Sequence, residues 1–172
     1  MTKTRATVLA GLLLSLAACG GSGDDEAASS AIADSIMEEQ QAGTDSIFAM
    51  ERAEADCIGD GFVAEVGVDQ LQEYGFLTED MTAKPMTDVR MDPADAEAAT
   101  GVLFDCTDVT ALMSEAISTG GQVDEETQAC LEEVITEDKL KTMFTLMFSG
   151  KQDEANQEVI APMMQCAGGA AQ

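Results

Sequence analysis

The run Leu140, Met143, Phe144, Met147 and Phe148 sets apolar side chains at i, i+3, i+4, i+7 and i+8. That is the spacing of one face of an amphipathic helix. The same period recurs along most of the chain and restricts the fold to packed helices. Ile32, Ile36 and Met37 mark a first helix over 27–41. From Glu51 a second helix carries Ile58, Phe62 and Val66 on one face, with Cys57, Gly61 and Ala64 on the neighbouring one. Gly59 and Gly61 weaken it by up to about 1 kcal/mol each relative to Ala. They point to a close helix–helix approach or to a break. Residues 68–75 read as a short helix with Leu71 and Tyr74 inward, and 77–91 as a long loop. Asp92-Pro93 starts the next helix, because Asp caps well and Pro at the first position loses no hydrogen bond. Its Ala96, Ala99, Leu103 and Cys106 share an inward face. A connecting helix over 108–118 turns Val109, Leu112, Met113 and Ile117 inward, and Gly120-Gly121 breaks the chain. Asp124 caps a helix burying Cys130, Leu131, Val134 and Ile135, Thr136 recaps it, and Ser149-Gly150 ends the amphipathic run. A last helix from Gln152 carries Ala155, Val159, Met163 and Cys166, with a kink or restart at Pro162. The expected fold is a small all-α domain.

The N-terminal segment has a different chemistry. Lys3 and Arg5 precede the uncharged run 7–17, which is too short to span a bilayer because that takes roughly 20 apolar residues. It fits the apolar region of a secretion signal followed by small residues. Leu16-Ala17-Ala18-Cys19 closes it. This stretch resembles the lipobox of bacterial lipoproteins. The resemblance implies removal of 1–18, a diacylglyceryl group on the Cys19 sulfur, and Cys19 as the new N-terminus. Burial of acyl chains contributes about 0.8 kcal/mol per CH₂, so two or three chains on one residue hold durably without a transmembrane helix. Gly20 stands where such families use Asp to stay at the inner membrane of a two-membrane cell. The expected location is therefore the extracytoplasmic face of the cell membrane, or the outer membrane where there are two. Residues 19–28 read as the lipidated start and a Gly/Ser-rich, then acidic, flexible linker. The helical domain is expected over 29–167, with 168–172 a frayed tail.

With Cys19 assigned to lipid, Cys57, Cys106, Cys130 and Cys166 remain. An even set in an exported chain reads as two disulfides. The halves 51–107 and 124–167 look like a duplicated three-helix unit. Ala55-Asp56-Cys57-Ile58 lies beside Gln128-Ala129-Cys130-Leu131, Asp69-Gln70-Leu71 beside Asp138-Lys139-Leu140, and each half ends on an inward Cys. If each unit closes itself, the pairs are Cys57–Cys106 and Cys130–Cys166; the other two connectivities stay open.

Composition excludes several functions. The formal net charge is −25, and loss of Lys3 and Arg5 makes the chain more negative still. Such a surface repels nucleic acid and anionic headgroups. Arg52, Lys84, Arg90, Lys139, Lys141 and Lys151 are scattered and form no patch. The chain has no His, so no imidazole base can activate a nucleophile. It has no CxxC pair for a redox or zinc site. Neither a phosphate-cradling Gly loop nor a twelve-residue calcium loop appears. The methionines Met143, Met147 and Met163 read as core filling rather than copper ligands. No catalytic residue, cofactor site or metal site is assigned.

Beyond the lipobox, the chain resembles small uncharacterised four-cysteine lipoproteins of high-GC Gram-positive bacteria. The likeness rests on Asp56-Cys57, the run 68–75 and Met164-Gln165-Cys166. It implies no known activity. The expectation is a non-enzymatic envelope module, anchored through Cys19 and binding a protein or small ligand. A carboxylate-dependent hydrolase, which needs two facing acids in a cleft, and an acidic cation-binding protein are the alternatives.

Overall fold

The computed structural model describes residues 23–41, 50–84, 89–119 and 124–169. It is all-α: α1 (Gly23–Gln41), α2 (Arg52–Glu65), α3 (Val68–Glu73), α4 (Pro93–Cys106), α5 (Val109–Thr119), α6 (Glu125–Val134), α7 (Glu137–Phe148), α8 (Gln152–Ala155), a π-helical turn (Asn156–Ile160) and α9 (Ala161–Gly169). Between α3 and α4 the chain makes one isolated antiparallel bridge, Leu77 to Ala83. Two disulfides join Cys57 to Cys106 and Cys130 to Cys166.

Most helices form where the spacing puts them, and side-chain caps mark the starts of α6 and α7. Asp124 accepts the Thr127 N–H at 2.8 Å and Thr136 accepts the Lys139 N–H at 3.4 Å. Asp92 occupies the cap position of α4 with extended backbone but its side chain makes no capping hydrogen bond, so the start expected from an Asp cap rests on Pro93 as the first helical residue. Gly150 ends α7 at a φ of 71°, where a side chain would run into Arg90. Pro162 lacks an N–H, and the helix reaches it by widening into the π turn at 156–160. That is the restart, made by one register change rather than a break.

α1 runs antiparallel to α2. Ser29 meets Asp60 through a hydroxyl–carboxylate hydrogen bond, and farther along Asp34 meets Arg52 at 2.6 Å. A Cβ on Gly59 would lie 2.4 Å from the Ser29 carbonyl oxygen, and one on Gly61 would lie 2.4 Å from Val102 of α4. The two glycines thus mark close approach on both sides of α2, not a break.

The two halves correspond in element order, offsets and burial. Cys57 and Cys130 each lie six residues after the cap of their helix, Glu51 and Asp124. Val66-Gly67 and Ile135-Thr136 are the two-residue joints to the second helix, with Val66 and Ile135 both buried. Leu71 and Leu140 follow at the same offset and are both fully buried. α2 has 14 residues and α6 has 10, so the first unit carries one extra turn, which preserves the buried face. Counting back from Cys106, Leu103, Ala99 and Ala96 are buried; counting back from Cys166, Met163, Val159 and Ala155 take their places. The last spacing is one residue longer, and the extra residue falls in the π turn.

The units share one core. Phe62 sits tilted against Phe76 at 5.6 Å and edge-on to Phe148 at 6.0 Å. At the seam the buried Thr100 hydroxyl donates to the Ala96 carbonyl at 2.8 Å and accepts the Thr145 hydroxyl at 3.0 Å. The seam therefore buries hydroxyls without leaving them unpaired.

Several sequence expectations are corrected. Residues 23–28 of the expected linker are helical: Asp24, Asp25 and Glu26 form the first turn of α1, and Ala28 is buried. Acidic residues there suit the positive end of the helix dipole, and packing on α2 supplies the rest. At the other end α9 runs to Gly169, so helix replaces the expected tail at 168–169. Cys106 is half-buried rather than inward, because its partner Cys57 lies on the exposed face of α2. Cys130, Val134, Leu112 and Tyr74 are likewise half-buried, and Met147 is 39 % exposed. Cys19, Gly120-Gly121, the Ile117 side chain and 170–172 lie outside the described residues.

Candidate functional site

Among the described residues a cleft lies at each end of α2. The first, about 430 Å³, is lined by Glu54, residues 104–110 and Glu137. The turn from α4 into α5 forms its floor, the first turn of α2 one wall, and the start of α7 the other. Three of its four carboxylates are committed to structure; Asp105 is exposed. Glu54 accepts the Thr107 hydroxyl at 2.9 Å and the Glu51 N–H at 2.7 Å. Asp108 accepts the Ala111 N–H at 2.9 Å and so caps α5. Glu137 pairs with Lys141 at 2.6 Å. The Lys141 ammonium is held above its ordinary pKa, first by the Glu137 hydrogen bond and then by the nearby charges of Glu137, Asp105 and Asp138, against desolvation. It also lies 5.2 Å over the Phe104 ring, a cation–π contact.

The second cleft, about 690 Å³, is lined by Asp24, Asp25, residues 66–70, Gln72, Glu79 and Met81. It joins the start of α1 to the α2–α3 corner and to the bridge loop. The corner is possible because Gly67 has a φ of 90°. The loop folds on itself: Gln72 Nε2 donates to the Thr78 carbonyl at 3.2 Å, and the Thr78 hydroxyl accepts the Thr82 N–H at 2.9 Å. The Thr78 hydroxyl also bonds Asp80 and holds that carboxyl below its ordinary range.

Of the five cysteines assigned from sequence, four are placed. Cys57–Cys106 joins the first turns of α2 to the end of α4, and Cys106 lines the first cleft. Cys130–Cys166 joins α6 to α9, with Cys166 buried. Each pair has a Cα separation of 5.6 Å, ordinary for a disulfide. Among the described residues no group of three or more His, Cys, Asp or Glu side chains is arranged to hold a metal ion. Among them also, no helix is long and apolar enough to cross a membrane.

The Glu54–Thr107 contact was invisible to sequence reading, because its partners lie 53 positions apart. The local half of it was present as Glu51-x-x-Glu54. That pair makes a reciprocal capping box with Glu in the place where Ser or Thr is the usual signal. Compared with family models, curated proteins and solved structures, the chain matches none.

Proposed function

We propose that this chain is an exported lipoprotein whose helical domain is a non-catalytic envelope binding module, held to the membrane by lipid on Cys19. The observation that carries the reading is the distribution of cysteines. All four beyond the signal-like segment are paired in disulfides, and the fifth follows Leu16-Ala17-Ala18 directly. Disulfides of this kind persist in oxidising compartments outside the cytoplasm, which agrees with a secretion signal at residues 1–18. The lipid supplies the membrane attachment that no described helix is long and apolar enough to make.

A non-catalytic role is supported by how three of the four acids of the first cleft are used. Glu54, Asp108 and Glu137 are each tied to a cap, a hydroxyl or a lysine. A carboxylate-dependent hydrolase needs two acids facing each other across the reacting bond. The decisive experiment is intact-mass measurement of the protein taken from its native membrane, followed by affinity isolation of whatever remains bound. Acyl mass at a processed Cys19 and a stoichiometric companion are expected. An unmodified N-terminus overturns the anchoring. Turnover of an envelope substrate that a single carboxylate substitution abolishes overturns the non-catalytic reading.

A further inference from the structure

Resting on the anchoring reading, we propose that the corner formed by the start of α1, the α2–α3 joint and the bridge loop faces the lipid surface, with the first cleft at the far end. Gly23 opens α1 four residues after Cys19. A chain reaches at most about 3.6 Å per residue, so the Gly23 backbone lies within about 14 Å of the Cys19 backbone. The anchor therefore fixes one end of the domain near the headgroups.

The antiparallel pair identifies that end. Asp24 and Asp25 share the second cleft with Val66, Gly67 and Glu79. The other end of α2 carries Glu54 and, through Thr107, the first cleft. From Glu54 to Val66 the helix rises about 18 Å at 1.5 Å per residue. α1 has 19 residues and spans about 28 Å. The Cys57–Cys106 bridge, near the start of α2, thus sits on the side away from the bilayer.

The charge of the near end sets the stand-off. Asp24, Asp25, Asp69 and Glu79 line the cleft that faces the headgroups. Against an anionic leaflet these carboxylates repel, and the Debye length of about 10 Å at 0.1 M salt is comparable with the tether. The domain stands farther from the surface at low salt and approaches as salt screens the repulsion.

The test uses the full, acylated protein in vesicles whose headgroups carry a quencher. A fluorescent amino acid replaces either Glu65 or Ala53, both exposed and at opposite ends of α2. Quenching several-fold stronger at 65 than at 53 is expected. In vesicles with anionic lipid the signal at 65 grows with added salt, while zwitterionic vesicles show no salt effect. Equal or reversed quenching, on protein whose mass carries the acyl chains, overturns the orientation and leaves the anchoring intact. Protein that lacks the acyl mass and does not bind vesicles overturns both.

Discussion

The Glu54 carboxylate accepts the Thr107 hydroxyl at 2.9 Å and so joins the first turn of α2 to the end of α4, beside the Cys57–Cys106 bridge. The two partners do not carry equal weight. Thr107 is 6 % exposed, so losing Glu54 leaves a buried hydroxyl without its acceptor. Glu54 also accepts the Glu51 N–H. Glu54→Ala is expected to destabilise the domain by about 1–3 kcal/mol, the cost of an unpaired buried group plus a lost cap. Thr107→Val removes the hydroxyl and keeps the shape, so it should cost less. Urea unfolding of both single variants and the double variant checks this. Equal losses in the singles would refute the asymmetry.

Three glycines on two helices should respond to one substitution in opposite directions. A methyl on Gly59 meets the Ser29 carbonyl oxygen at 2.4 Å, and backbone cannot move aside cheaply. Gly59→Ala should therefore lift α1 from α2 and cost about 1–3 kcal/mol, the range for overpacking. At Gly61 the obstacle is the Val102 side chain, so Gly61→Ala should cost less than Gly59→Ala. Gly101 has open space where its Cβ would be. Gly101→Ala should stabilise by up to about 1 kcal/mol, because Ala is the better helix former. Thermal melts of the three variants rank them, and a stabilised Gly59→Ala would sink the argument.

The helix faces were legible because period reads direction. Ile58, Phe62, Leu131, Leu140, Met143 and Phe148 are buried where the 3.6-residue repeat puts them. Depth is a different quantity. Met147 shares the stripe of Met143 yet is 39 % exposed, because the stripe is wider than the surface that covers it. Cys57 and Cys106 meet at the rim for the same reason. The start of α1 was hidden by composition: Gly, Ser and Asp favour a linker locally, and only α2 packed against α1 at Gly59 tips the balance. The clefts were not legible at all. They form where distant segments meet, and no local pattern records that.

The cap of α6 gives the domain an acid-side pH dependence. Asp124 is held below its ordinary pKa, first by the Thr127 N–H and then by the Thr127 hydroxyl. A depressed folded pKa means the unfolded chain binds the proton more readily. This contribution is complete above the unfolded value of about 4 and is lost as pH falls through the folded value. Asn caps a helix about as well as Asp. Asp124→Asn should therefore keep most of the stability at neutral pH and flatten the slope of stability against pH below about pH 4. Urea midpoints measured from pH 6 to pH 2 test it. An unchanged slope would show that Asp124 is not a source of the dependence.

The two disulfides should open in order. Cys57 is exposed, whereas Cys166 is 7 % exposed, and exchange requires a thiolate to reach a sulfur. Mild reductant should open Cys57–Cys106 first, while Cys130–Cys166 waits for the core around Val159 to loosen. The bridge closes a loop with a sequence separation of 49. Its loss should cost roughly 4 kcal/mol in the chain-entropy treatment. Asp56 and Asp105 adjoin its cysteines in sequence, and Glu54 and Asp108 line the cleft with Cys106. An attacking thiolate meets that negative field. A thiol carrying an ammonium group should therefore cut the bridge faster than one of similar pKa carrying a sulfonate, and salt should narrow the gap. Timed alkylation with peptide mapping reads both the order and the ratio. If Cys130–Cys166 opens first, exposure does not govern access; if the two thiols react alike at low salt, the carboxylates do not shield the bridge.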